Sequence, residues 1–242
     1  MVYGGPGAIG SLKGFAKELH ELSQIGVVEA LQSKYSIDEL VEELYNQIKD
    51  SCNEKVSLIG HSWGAWLVVL FAEKYPDLIE NVILVGCGPL GDKYVSEIGA
   101  RRMENLSEED GAVFQRLCNN QATNEDMAKI PKIFEKSDNY CLENRDLHRA
   151  DRTDSQMHNM VWEEAAKLRT NGTLLTSFKK IQSKLFLIQG EIDPHPAKGV
   201  VVPLQENGVK CESYVLEKCG HSPFMEKYAK EDFYKTLLNI LA

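Results

Sequence analysis

The sequence predicts an α/β protein: a mostly parallel sheet with helices on both faces, interrupted once by a helical insertion. Three observations lead there. Short apolar runs that end in or near glycine recur along the chain, helical patterns lie between them, and this rhythm stops over 92–180 before it resumes. Strands that are apolar at consecutive positions, rather than at every second one, are buried on both faces, and parallel sheets demand that.

In chain order, Met1-Val2-Tyr3 precedes a glycine loop, Gly4-Gly5-Pro6-Gly7, and a helical stretch opens near Ser11. Ile25 to Glu29 forms a weaker strand candidate. Ile37, Leu40, Val41, Leu44 and Ile48 fall on one stripe of a helix, the spacing of an amphipathic surface helix. Val56 to Gly60 is a strand, and Ala65 to Tyr75 is a helix apolar nearly all round that Pro76 stops. Val82 to Gly86 is the next strand. Residues 92–180 are charge-rich and have no convincing β run; helices are expected near 93–105, 108–119, 124–136 and 155–170, the last closed by Asn171-Gly172. Leu185 to Gly190 and Tyr214 to Leu216 complete the strands. The predicted organisation is a core of 1–91 and 181–242 with 92–180 inserted as a separate helical unit.

Composition narrows the function. The 242 residues, 43% hydrophobic and 26% charged, with 8 Pro and 18 Gly, describe a chain that buries a sizeable core. A net charge of −9 without a basic arm argues against nucleic acid and anionic membrane as partners. The longest apolar run, Ala65 to Ala72, falls far short of the roughly 20 residues that span a bilayer. Because the N-terminus lacks a basic region and an apolar signal core, a cytoplasmic location is expected. The six cysteines follow no metal or disulfide spacing, so buried thiols and no bridges are expected.

Gly60-His61-Ser62-Trp63-Gly64 follows a strand and opens a helix, the setting in which G-x-S-x-G becomes a nucleophile elbow. Such a turn strains Ser62 and needs small neighbours, here Gly60, Gly64 and Ala65. A serine hydroxyl needs a base and a carboxylate to hold that base. Asp193, in Gly190-Glu191-Ile192-Asp193-Pro194-His195-Pro196, and His221, in Cys219-Gly220-His221-Ser222-Pro223, both follow strand ends, where ligand groups gather in such sheets. Asp193 is preferred to Glu191, which lies nearer its strand, and to Glu217, which precedes the histidine loop. His61 and His195 are given structural or supporting roles, and His20, His148 and His158 surface or cap positions. The backbone N–H groups of Gly5 and Trp63 are the expected oxyanion donors.

These motifs resemble the α/β-hydrolase superfamily from Gly4 to the C-terminus, and within it the proline-iminopeptidase-like branch, whose G-G-P-G loop, G-x-S-W-G elbow and histidine loop are similar to Gly4–Gly7, Gly60–Gly64 and Cys219–Glu226. The resemblance implies a helical cap over the active site at 92–180, hydrolysis through an acyl-enzyme, and no metal or organic cofactor. The branch's amine-binding M-x-G-P-x-E-F motif is replaced by MHNMVWEEAAKLRTN at Met157 to Asn171, with Glu163 and Glu164 out of register. The expected function is therefore cleavage of an ester or amide in a small, partly apolar substrate or short peptide. A proline-iminopeptidase-like aminopeptidase and a non-catalytic binding protein are the alternatives. Glu164 and Trp162 are the candidate substrate contacts, with Met103, Phe114, Phe134 and Met160 as further apolar cap residues. Tyr3 stands where the family usually has His, and only Met1 to Tyr3 remain of the third strand. The sheet is thus expected to lack its N-terminal strands, exposing Ile25 to Glu29 as an edge through which a homodimer could form.

Overall fold

The computed structural model describes residues 1–119, 121–143 and 145–242. Its first half runs β1 (Ala8–Ile9), α1 (Lys13–Ser23), α2 (Ile37–Ser51), β2 (Val56–His61), α3 (Trp63–Lys74) and β3 (Ile79–Val85). Four helices and one short strand follow: α4 (Val95–Glu104), α5 (Glu108–Cys118), α6 (Asn124–Asp138), β4 (Arg152–Thr153) and α7 (Ser155–Thr170). The chain then continues through α8 (Thr173–Lys179), β5 (Lys184–Gly190), α9 (Lys198–Glu206), β6 (Glu212–Leu216) and α10 (Lys230–Leu241). Among the described residues no helix is long and apolar enough to cross a membrane.

The main sheet has the order β2-β3-β5-β6 with every pair parallel, and Gly60, Leu84, Leu187 and Ser213 lie in one row across it. Successive side chains of a strand leave the sheet on opposite faces, so one apolar run feeds two cores. Leu58, Val82, Leu84, Leu185 and Leu187 pack with α2, α3, α8 and α9, while Ile59, Ile83, Val85, Phe186 and Ile188 meet Phe15 and Leu19 of α1 and Phe233 and Leu237 of α10. The four stronger strand predictions hold within a few residues. So do the predicted helices: Ser36 caps α2 through Glu39 N–H, Ser107 caps α5, and Thr123 with Asp126 forms a capping box at α6.

Between β3 and β5, α5 and α6 close a small core of their own from Val113, Phe114, Ile130 and Ile133. Helix α7 behaves differently, since its buried stripe of Met157, Val161 and Ala165 joins the core shared by α2 and α8. The inserted segment 92–180, called the cap for its place in the chain, also reaches the glycine loop, because β4 pairs antiparallel with β1 and Asp154 N–H donates to Gly7 O at 2.9 Å.

At the N-terminal edge the expectation needs correction. Ile25 to Glu29 is not a strand. Val2 pairs in parallel with Gly60 through Val2 N–H to Ile59 O (2.8 Å) and His61 N–H to Val2 O (3.0 Å), and on its other side Met1 takes the Val28 carbonyl and the Ala30 N–H. Only these two bonds tie 25–30 to Met1, so no strand ladder forms over 25–29. The Val28 carbonyl, within the expected free edge, is thereby bonded, as is the Ala30 N–H just beyond it, while Ile25, Val28 and Leu31 keep exposed side chains.

Candidate active site

The elbow follows directly from the crossing of β2 and α3. Ser62 sits between them at φ 54°, ψ −119°, a conformation that costs a non-glycine residue about 1–3 kcal/mol. A Cβ on Gly60 would lie 2.3 Å from Gly64 O, and one on Gly64 would lie 2.2 Å from Val2 O, so neither position admits a side chain. Ser62 occupies the cap position of α3 without capping it, and its hydroxyl bonds to no described residue. Only its backbone is tied, Ser62 N–H to Val85 O at 2.9 Å and Ser62 O to Ala65 N–H at 3.0 Å.

Asp193 lies at the C-terminal end of β5 and is fully buried. Its two oxygens carry separate loads. Oδ1 accepts from the backbone N–H and Nδ1 of His195, both at 2.9 Å, and Oδ2 accepts from Gln189 Nε2 at 2.7 Å and His221 Nδ1 at 2.9 Å. Burial opposes this charge, but the two imidazoles outweigh it and hold the carboxyl well below its usual range. For His221, burial again opposes the charged form, and the Asp193 carboxylate more than compensates, raising the imidazole above its ordinary value. With Nδ1–H given to Asp193, the neutral ring presents a bare Nε2. His195 goes the other way, since burial holds it below the ordinary value despite Asp193. His61 is pushed down to about 3, first by burial and then by the charge of His221, and its Nε2 donates to His221 O at 2.9 Å. His61 therefore supports the loop that carries His221 as a neutral donor. Donor atoms of Asp193, His195 and His221 lie within 4.8 Å of one another, a set that fits a divalent cation only by giving up these hydrogen bonds.

Ser62, His195 and His221 open onto one cavity of ≈ 660 Å³, which Gly5 and Trp63 also line. Gly5 is in the left-handed region at φ 66°. The Trp63 indole donates to Gln32 Oε1 at 3.0 Å, and buried Gln32 in turn donates to Tyr3 O at 3.1 Å while its own N–H donates to the Tyr3 hydroxyl, so Tyr3 braces the elbow from below. The opposite wall comes mostly from the cap, with Phe114, Phe134 and Trp162 among the predicted apolar residues. Met103 instead packs into the cap's own core and Met160 points outward.

The two candidate substrate contacts separate. Trp162 faces the cavity, stacked on Trp66 at 5.8 Å and 8°. Glu164 does not: its carboxylate accepts from Ile37 N–H at 2.8 Å, capping α2. Residues overlooked in the sequence are Trp66, Arg102, Asp138 and Arg169, which line the cavity together with His158, an exposed residue for which the sequence predicts a surface or cap position. His158 lies flat against Trp162 at 6.2 Å, and His148, expected near the surface, is buried against Phe224.

A family model described as alpha/beta hydrolase fold matches residues 9–228. In Caenorhabditis elegans, "Abhydrolase domain-containing protein abhd-5.2" is 29% identical over 94 residues, a match that spans 35% of this chain and 21% of that protein. Among solved structures, VinJ superposes with a TM-score of 0.68 at 18% identity, covering 99% of this chain and 88% of that one. Proline iminopeptidase from Mycobacterium smegmatis gives 0.64 at 17% identity over 99% and 88% of the two chains, and a monoacylglycerol lipase from Paleococcus ferrophilus gives 0.60 at 17% over 99% and 92%. At these identities the superpositions speak for the fold alone.

Proposed function

Since this chain belongs to the α/β-hydrolase fold family, we propose that it is a serine hydrolase that cleaves an ester or amide of a small, partly apolar substrate through an acyl-enzyme. Ser62 Oγ attacks the carbonyl carbon while His221 Nε2 takes the hydroxyl proton. The negative charge that develops on the carbonyl oxygen is met by the N–H groups of Gly5 and Trp63, the latter at the positive end of α3. The tetrahedral species collapses as His221 returns the proton to the leaving oxygen or nitrogen. Water then loses a proton to the same imidazole, attacks the acyl carbon, and releases the acid and free Ser62. Asp193 holds the ring in the tautomer with Nε2 bare and steadies its charged form.

One observation carries this reading: a strained serine, its hydroxyl unused by the helix it opens, lines the same cavity as an imidazole that is seated on a buried carboxylate. An aminopeptidase would need a free carboxylate for the substrate's ammonium group. Asp138, the cap carboxylate that lines the cavity, is held by Arg102 through bonds of 2.8 and 2.6 Å, and Glu164 is committed to α2. A fluorophosphonate probe should label the wild type and leave Ser62→Ala unlabelled. Aryl esters, aryl amides and unblocked peptides should then be compared, with turnover of esters expected and no requirement for a free amine. Equal labelling of both proteins would overturn the assignment.

A further inference from the structure

The cavity's charges do not cancel. Arg102 already holds a carboxylate in its fork, since its Nε and one terminal nitrogen bond both oxygens of Asp138, and its guanidinium carbon lies 4.6 Å from the Phe134 ring centre. Arg169 does not. It donates only Nε, at 2.7 Å, to Asp92, and its terminal nitrogens have no hydrogen-bond partner among the described residues. The pair is also uneven in water, with the Arg169 side chain 14% exposed and that of Asp92 51%. Asp92 meets the guanidinium at Nε alone and is itself half-exposed, which leaves the terminal N–H groups available to a second acceptor in the cavity.

Arg169 is held in place as a flat fork. Its guanidinium carbon lies 5.9 Å from the Trp66 ring centre, Trp66 is stacked on Trp162, and Trp162 on His158, so the cation ends a column of planar groups along one wall. The column passes the elbow at Trp66, which is the member next to Arg169 and lies one helical turn after Ser62. We propose that the substrate of this site carries a carboxylate in addition to its scissile carbonyl, and that the terminal nitrogens of Arg169 hold it as a two-point hydrogen-bonded pair, with the apolar stem along Trp66 and Trp162. Two parallel N–H bonds to a carboxylate are a geometry that a guanidinium fork matches and a lysine ammonium does not. The substrate class is thus a monoester or monoamide of a dicarboxylic acid, or an ester or amide with the carboxylate on the leaving side. This deepens the hydrolase reading and rests on Ser62 as the nucleophile.

All three tryptophans of the chain, Trp63, Trp66 and Trp162, line this cavity, so intrinsic fluorescence reports its occupancy. Methyl hydrogen adipate and dimethyl adipate, titrated into Ser62→Ala, differ in one charge. The charged ester should bind about tenfold tighter or better. Adding Arg169→Gln should bring the ratio close to one. Asp92→Asn breaks the same ion pair but keeps the fork, so there the preference must persist; if it vanishes in both, Arg169 acts only by bracing the cap and the proposal fails. Equal binding of the two esters, binding of neither, or a preference that survives Arg169→Gln overturns it as well. Fluorophosphonate labelling of the wild type is scored separately: loss of labelling removes the hydrolase reading and leaves the binding ratio to be judged on its own.

Discussion

The two sides of the cavity are built on different physical terms. On the sheet side the groups around the Ser62 hydroxyl are fixed by bonds within the sheet's own loops: Asp193 accepts four, Gln189 spans Cys87, Asp193 and His195, and His61 holds the His221 carbonyl. On the cap side the groups are large, flat and partly wet, with Trp162 40% exposed and Arg169 tied by a single nitrogen. The first arrangement suits atoms that must meet within tenths of an ångström. The second suits discrimination among ligands, where contacts are worth less individually and tolerate adjustment. Changes on the sheet side should therefore lower kcat, and changes on the cap side should act on KM and selectivity.

The largest expected effect is at Ser62. Ser62→Ala or His221→Ala should each lower kcat on the order of 10⁶-fold, and the double variant should do little worse than either, because the groups act as one unit. Steady-state kinetics on an activated ester reads this directly, and additive losses would contradict it. Asp193→Asn keeps the shape but reverses the tautomer that His221 prefers, with an expected cost of roughly 10⁴-fold.

Acidity sharpens the same contrast. The working form of His221 is neutral, and Asp193 raises its pKa above the ordinary value of about 6.5. kcat/KM should accordingly rise with pH through one ionisation placed above 6.5, and this limb should move to lower pH in Asp193→Asn, whose side chain no longer favours the imidazolium. A limb below 6.5, with chemistry rate-limiting, would contradict the coupling. Because a raised folded-state pKa stabilises the protonated form, the His221–Asp193 contact contributes its full stability below the unfolded-state value and loses it as pH climbs through the folded one.

Effects on the cap side are smaller. Arg102→Ala strands Asp138, whose side chain is 12% exposed, and should cost about 2 kcal/mol, a fall of about 4–8 °C in Tm by calorimetry; the figure for fully buried pairs is larger, and the partial exposure of Arg102 reduces it. Trp162→Ala removes one member of a stack worth about 0.5–1.5 kcal/mol and should raise KM up to about tenfold while kcat stays within about a factor of two. A fall in kcat as large as that of Asp193→Asn would erase the division between the two walls.

The same division governs what the sequence could reveal. Strands, elbow and acid are legible because they are local: apolar runs ending in glycine, a serine at a strand-to-helix turn, and an aspartate and a histidine just after strand ends. Cap chemistry depends on which way a helix is rolled. Trp162 and Glu164 stand two residues apart on α7, roughly 200° around the helix, so they cannot face one cavity. His158, Trp162 and Arg169 fall at i, i+4 and i+11, close to one line, and that spacing was the available signal. What the spacing cannot supply is the direction of the line, which is set when Met157, Val161 and Ala165 sink into the core beside α2 and α8. Ile25 to Glu29 shows the same limit, since an apolar pattern does not say whether the neighbouring backbone completes a ladder.

Glu226 is buried without a cation and accepts instead from the backbone N–H groups of Tyr140, Cys141 and Gly220 at 2.7–2.8 Å. Around it Lys227 N–H donates to Cys141 O, Glu143 N–H to Met225 O, and His221 N–H to Asp138 O, so the tail of α6 and the histidine loop are laced into a single strap. The residue that would accept the proton is thus mounted partly on cap backbone. The chain consequently has no minimal catalytic module to be cut free of its insertion: excising the helices between β3 and α7 would release the histidine loop and bare a carboxylate in the interior. Melting followed by probes in the insertion and in the sheet should give one coincident transition, the behaviour of a machine whose housing and moving part are cast in one piece.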